Sequence, residues 1–141
     1  MDKTQKLSGL VVSGVHKASF FTQLDWVQEQ CMEKLGFRPH PGTLNLNMAV
    51  LEENQPTVQD LRKEDGIKLI PSDPNFYAAT VLPVYLGEVK GAIVIPAEDV
   101  NVHGKEIIEV LAPLRLRDTL GVNDGDLVTL VIDRCLGKQE R

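Results

Sequence analysis

Along the chain, short apolar or alternating runs recur between turn residues, and a single long stretch carries a clear helical period. "LVVSG" (10–14) reads as a buried strand ending at Ser13-Gly14 after a short polar start. "TQLDWVQEQCMEKLGF" puts Leu24, Val27, Cys31 and Leu35 on one face of a helix, with Thr22 and Asp25 as a capping-box-like start and Gly36 as its end. "GTLNLNM" (42–48) sets Thr43, Asn45 and Asn47 in alternation with Leu44, Leu46 and Met48, the mark of a strand (43–50) with two unlike faces. "PTVQDLRKEDG" predicts a short peripheral helix between Pro56 and Gly66. "IKLI" follows, then "FYAATVLPVYL" and "KGAIVIP", which read as a hairpin turning at Gly87-Glu88. "EIIEVLA" predicts another strand, "PLRLRDTLG" a short helix opened by Pro113 and closed before Gly121, and "VNDGDLVTLVI" a turn and a final strand.

About six strands without long helices between them disfavour a doubly wound sheet and suit a small closed barrel. The length, 141 residues, is enough for one domain with one core, and the composition, 43% hydrophobic and 25% charged, is ordinary for a globular protein. No apolar run approaches the roughly 20 residues that cross a bilayer, and "MDKTQKLSG" is too polar for a secretory signal, so a cytoplasmic protein is expected. A net charge of -5 opposes broad attraction to nucleic acid or anionic membranes, and neither is an expected partner. Cys31 and Cys135 read as packing thiols, and His16, His40 and His103, each beside turn residues, as surface loop histidines.

Three groups of residues depart from a plain barrel pattern. Thr43 and Asn45, a hydroxyl and an amide on one strand face, can supply adjacent hard oxygen ligands to a Mg²⁺ already neutralised by a polyphosphate; the plain alternative is a polar face in water. Glu109 shares its face with Ile107 and Leu111, while Glu106 lies on the other with Ile108 and Val110, so Glu109 stands either at a rim or in a pocket where a ligand donor would offset its desolvation. Arg115 and Arg117, two apart on a short helix, cannot share a face; either they are solvated, or one of them joins the helix start in meeting an anion.

Taken in order, "VVSG", "LGFRPHPGTLNL", "VLPV", "GAIVIP", "EIIEVLAPLRLRD" and "VNDGDLVTLVI" resemble the archaeal-type CTP-dependent riboflavin kinase family over roughly 10–132. The resemblance implies one domain over 1–141, with its core at about 7–133: a mainly β, six-stranded cradle-loop barrel with one longer helix and short peripheral helices. It also implies transfer of the γ-phosphoryl of CTP to the 5′-hydroxyl of riboflavin, giving FMN and CDP. Carried over by motif, Thr43 and Asn45 match Mg²⁺ ligands, Glu109 a flavin-contacting glutamate, Asn101 a flavin-contacting threonine, and Leu114, Arg115, Leu116 and Arg117 part of the nucleotide site. By the resemblance Glu109 would orient the acceptor hydroxyl; assistance to its deprotonation is a further expectation that the resemblance does not itself imply. The other part of the nucleotide site falls on Gly14, Val15, His16, Lys17, Ala18 and Ser19, where the family has a glycine-rich loop. Here "SGVHKASFF" keeps Gly14 and replaces the later glycines with bulkier residues, so that Lys17 supplies a point charge in place of backbone amides or the donor site is altered. Two other functions compete: a flavin- or nucleotide-binding barrel without transfer, and a DNA-binding barrel, which the acidic charge disfavours.

Overall fold

The computed structural model describes residues 5–13, 22–48, 61, 66–71, 79–96 and 107–133. Among these the elements are β1 (Gln5–Val12), α1 (Asp25–Leu35), β2 (Leu44–Asn47), β3 (Ile67–Leu69), β4 (Ala79–Leu86), β5 (Val89–Pro96), β6 (Ile107–Leu111), α2 (Leu116–Leu120) and β7 (Leu127–Ile132). The strands run in the order β3-β4-β5-β6-β2-β1-β7, every described pairing is antiparallel, and β4 also pairs with β7. That last pairing closes a barrel of six strands, as the sequence predicts; β3, the "IKLI" segment, stays outside the ring as a seventh.

Both β3 and β7 bind the same edge of β4, β3 at 79–81 and β7 at Val84 and Tyr85. Pro83 sits at the changeover. Its carbonyl accepts a hydrogen bond from the Asp133 N–H at 2.8 Å, so its hydrogen-free nitrogen faces the same edge, where the change of neighbour leaves no ladder donor to be missed. The predicted hairpin forms, with Leu86 opposite Val89.

Alternation decides what fills the barrel. Leu7 and Val11 from β1, Leu44 and Leu46 from β2, Ile108 and Val110 from β6, and Val128, Leu130 and Ile132 from β7 make one buried cluster. Between Leu7 and Val11 the inward position is Gly9, where a Cβ would lie 2.9 Å from the Leu46 Cβ. Only glycine lets β1 and β2 approach so closely, and Ser8 points outward to share a 2.8 Å hydrogen bond with Thr129, its cross-strand partner. The polar start expected ahead of residue 10 is therefore the first half of β1.

A second cluster lies on the outside of the barrel, where Val27, Cys31 and Leu35 of α1 cover Leu69, Val81, Ala92 and Leu111. The predicted helix face is thus correct, with Leu24 packed at its margin. This outer cover buries β4 on both faces, which is why its apolar run is nearly continuous. Gly36 ends α1 in the left-handed conformation, its N–H bonded back to the Cys31 and Met32 carbonyls. Burial pushes the Cys31 thiol up to about 11, so it stays a neutral packing group. The peripheral helix expected over 56–66 lies outside the described residues apart from Leu61, which is helical and buried in the barrel cluster, and Gly66.

Candidate active site

The site is assembled around the turn that leads into β2. Thr22, expected to cap α1, does not: the N-cap position is Leu24, with no side-chain cap. Instead the fully buried Thr22 Oγ1 accepts a 2.9 Å hydrogen bond from the Gly42 N–H. Gln28, one turn into α1, donates through Nε2 to the carbonyls of Thr22 and Pro39, at 2.6 and 2.8 Å. The His40 N–H closes the set on the Ala112 carbonyl at 2.7 Å. Gly42 has φ 103°, a conformation that side-chain-bearing residues rarely adopt, so the "PG" of this turn is dictated by backbone geometry. Helix, turn and the end of β6 are thereby locked together immediately before Thr43.

From that anchor β2 delivers its two faces. Leu44 and Leu46 enter the barrel, while Asn45 points outward, opposite Glu109 of β6 on one side and Val12 of β1 on the other. Thr43 Oγ1 donates to Glu109 Oε1 at 3.1 Å. Asn45 is only 6% exposed and its Oδ1 makes no hydrogen bond. A buried carbonyl oxygen without a partner is costly in any fold. The polar face of this strand is not turned to water, as the plain alternative has it, at Asn45.

A cleft of about 360 Å³ opens beside these residues. Thr43 and Asn45 form part of its wall, with Val12 and Ser13 from the end of β1, His40 to Gly42 from the turn, and Leu114 to Arg117 from the β6–α2 connection. Glu109 does not line the cleft; it is partly buried and reaches it through Thr43. The candidate metal ligands and the described half of the candidate nucleotide site thus share one cavity. His40, a partly exposed loop histidine as expected, also lines the cleft, its Nδ1 donating to the Pro41 carbonyl at 2.9 Å.

The two arginines, both in the cleft wall, take different partners. Arg115 turns outward to a solvent-exposed pair with Asp118 at 3.1 Å. Arg117, 26% exposed, meets Asp124 at 2.6 Å and donates to Ser13 Oγ at 2.9 Å. Ser13 in turn donates to the Asp124 carboxylate, 2.7 Å from both oxygens. This hydrogen bond, and then Arg117, hold the Asp124 carboxyl below the usual carboxylate range. The helix expected to open at Pro113 begins only at Leu116 and runs for five residues, with Arg115 as its N-cap residue. The helix thus does not open at Pro113, and the connection before it and its first turn bring both Arg115 and Arg117 to the cleft wall.

Asn101 and the segment Gly14, Val15, His16, Lys17, Ala18 and Ser19 lie outside the described residues. Among the described residues no three His, Cys, Asp or Glu side chains gather in a cluster able to hold a metal. The oxygen set that could serve a cation consists of Thr43 and Asn45, with the Glu109 carboxylate behind the former. Sequence reasoning missed Thr22, His40, Ser13 and Asp124. For His40 the signal was present, since "FRPHPG" directly precedes the odd strand; for the others only tertiary contact reveals the role.

Among the described residues no helix is long and apolar enough to cross a membrane. A family model for CTP-dependent riboflavin kinases, described as a domain of unknown function, DUF120, matches residues 11–132. The chain is 37% identical over 133 residues to a riboflavin kinase of Pyrobaculum islandicum, covering 90% of this chain and 60% of that protein. It is 36% identical over 132 residues to a riboflavin kinase of Archaeoglobus fulgidus, covering 92% of this chain and 55% of the relative. A riboflavin kinase of Methanobrevibacter smithii is 36% identical over 126 residues, covering 89% of this chain and 98% of its own length. The chain therefore spans somewhat over half of the first two relatives and nearly all of the third.

Proposed function

Because the chain belongs to the CTP-dependent riboflavin kinase family, we propose that it transfers the γ-phosphoryl of CTP to the 5′-hydroxyl of riboflavin in the cytoplasm, giving FMN and CDP. The observation that carries this reading is the unpartnered, buried Asn45 Oδ1 in the cleft wall, beside a Thr43 hydroxyl whose proton is already committed to Glu109. A hydroxyl that donates inward presents only lone pairs outward. Two neutral side chains in one cleft wall, with no partner for the buried oxygen, suit a hard cation that brings its own counter-charge.

Thr43 and Asn45 are the residues that would hold Mg²⁺, and they fit it: a hydroxyl and an amide oxygen leave room for water and phosphate oxygens, as this ion requires. When bound, Mg²⁺ offsets the negative charge of the triphosphate. The rest of the task is positioning, because phosphoryl transfer needs alignment and charge stabilisation more than a strong base. The Glu109 carboxylate, fixed by Thr43, orients the riboflavin hydroxyl and assists its deprotonation. Arg117 supplies positive charge to the cleft from the β6–α2 connection, for the nucleotide phosphates.

The test is to incubate the protein with riboflavin, Mg²⁺ and each of the four nucleoside triphosphates in turn and to follow FMN by chromatography. FMN formed with CTP in preference to the others is the expected result. FMN formed only with another triphosphate overturns the donor, and no FMN with any of them overturns the kinase.

A further inference from the structure

We infer that Asp124, with Ser13, is a positioning residue that aims Arg117 at the phosphates of the bound nucleotide; this rests on the proposed kinase reading. Stability does not account for the arrangement. An exposed Arg–Asp pair contributes little to folding, and Asp124 is 56% exposed. Yet its placement is highly determined. The Gly125 N–H donates to the Val11 carbonyl at 2.8 Å, the Val11 N–H donates to the Asp126 carbonyl at 2.9 Å, and Asp126 Oδ2 accepts from the Asn123 N–H at 2.7 Å. These bonds clamp the 123–126 turn to the end of β1, so Asp124 is offered from a rigid frame at a fixed distance from Ser13.

The hydrogen-bond inventory shows what that frame does to Arg117. A guanidinium has five N–H donors. Both contacts to Ser13 and Asp124 are made by Nη2. The Nη1 and Nε donors of Arg117 have no partner among the described residues, and this side chain lines the cleft. One edge of the fork is tied down and another is left for a ligand. A planar fork held in this way suits the tetrahedral oxygens of a phosphate, for which geometry matters as well as charge. Untethered, the same arginine would lose rotamer freedom each time it bound.

Calorimetry of CTP and of cytidine, with Mg²⁺ and without riboflavin, tests the inference on the whole chain. Asp124→Asn is expected to weaken CTP binding about tenfold and to leave cytidine binding unchanged. Ser13→Ala is expected to act in the same direction and by less. In an Arg117→Gln background Asp124→Asn should cost nothing further, because no guanidinium is left to aim; a purely structural role for Asp124 predicts losses that add. Unchanged CTP binding in Asp124→Asn, additive losses in the double variant, or equal losses for CTP and cytidine each overturn the inference while leaving the kinase reading intact. Absence of any nucleoside triphosphate binding by the parent protein overturns both.

Discussion

The cleft wall is built on opposite principles at its β2 end and at its β6–α2 end. At one end the groups are neutral or paired oxygens on adjacent strands: Asn45 is nearly buried, Thr43 is bonded to Glu109, and the turn before them is locked by Thr22 and Gln28. At the other end are full charges, Arg117 and Asp124, on a one-turn helix and a β-turn, both partly open to water. The difference follows from what each end can bear. A strand interior tolerates a polar atom only if it is neutral, and leaving one unpartnered there is a cost that a bound cation removes. An exposed charge costs little to maintain but must be held still by neighbours to act with direction. The first end stores its specificity in burial and the second in a network of hydrogen bonds.

Breaking the buried end gives the largest effect. Asn45→Leu replaces the orphaned oxygen by an apolar group of similar shape, so Mg²⁺-dependent FMN formation should be abolished while the melting temperature holds or rises. Removing an unsatisfied buried polar atom is worth about 1–3 kcal/mol at most. Rate assays at varied Mg²⁺ and a thermal melt check both halves. A variant that loses activity only because it unfolds would mean that Asn45 is a packing residue. One position along, Leu46 faces the barrel interior and is fully buried. Leu46→Ala should therefore lower stability by about 2–5 kcal/mol in chemical denaturation. A midpoint that does not move would mean that the strand faces are the reverse of those described.

The support beneath the buried end comes next. Thr22→Val keeps the shape and removes the acceptor for the Gly42 N–H, at a cost of about 1 kcal/mol. It should also raise the Mg²⁺ concentration needed for half-maximal rate, because the turn that delivers Thr43 loses one of its restraints. Thr22→Ser restores the hydroxyl and should recover most of the metal dependence. If Val and Ser variants behave alike, the hydrogen bond has no part in placing the strand.

Much of this was legible in the sequence where a period or a motif carried it. The alternation in "GTLNLNM" separated Leu44 and Leu46 from Asn45, and the spacing of Val27, Cys31 and Leu35 gave the buried face of α1. Arg115 and Arg117 both line the cleft yet take different carboxylate partners, and Arg115 lies outside the helix on which their spacing was read. What stayed hidden depends on distant partners. β1 starts at Gln5 because Ser8 and Gly9 serve a partner strand and a close approach that no local propensity reports. Thr22 looked like a helix cap because its local spacing suited one, but a turn 20 residues away offered a donor it takes instead. Pro113 looked like a helix start, yet α2 opens three residues later, on Leu116. Asp124 carried no signal at all, since an "NDGD" turn is ordinary until Arg117 is found beside it.

The smallest effects test the exposed end against itself, because it contains two Arg–Asp pairs of similar chemistry. Asp118 and Arg115 are 69% and 60% exposed, and the Asp118 carboxylate bonds to Arg115, whereas Arg117 bonds to Ser13 and Asp124. Asp118→Asn should leave the melting temperature and the CTP requirement within error, whereas Asp124→Asn should move the CTP requirement alone. The Asp124 carboxyl is held below its ordinary range by Ser13 and Arg117, so it binds its proton less readily folded than unfolded. The linkage is therefore present in full above the ordinary carboxylate range and is lost only as the pH falls through the depressed folded value. Between about pH 5 and 9 this group should contribute no step to CTP binding, and the Arg117 contact should persist throughout. A binding profile that falls between those limits in the parent protein and is flattened by Asp124→Asn would show that the carboxylate titrates in the working range, and the aimed arginine would then be a pH-sensitive contact in place of a fixed one.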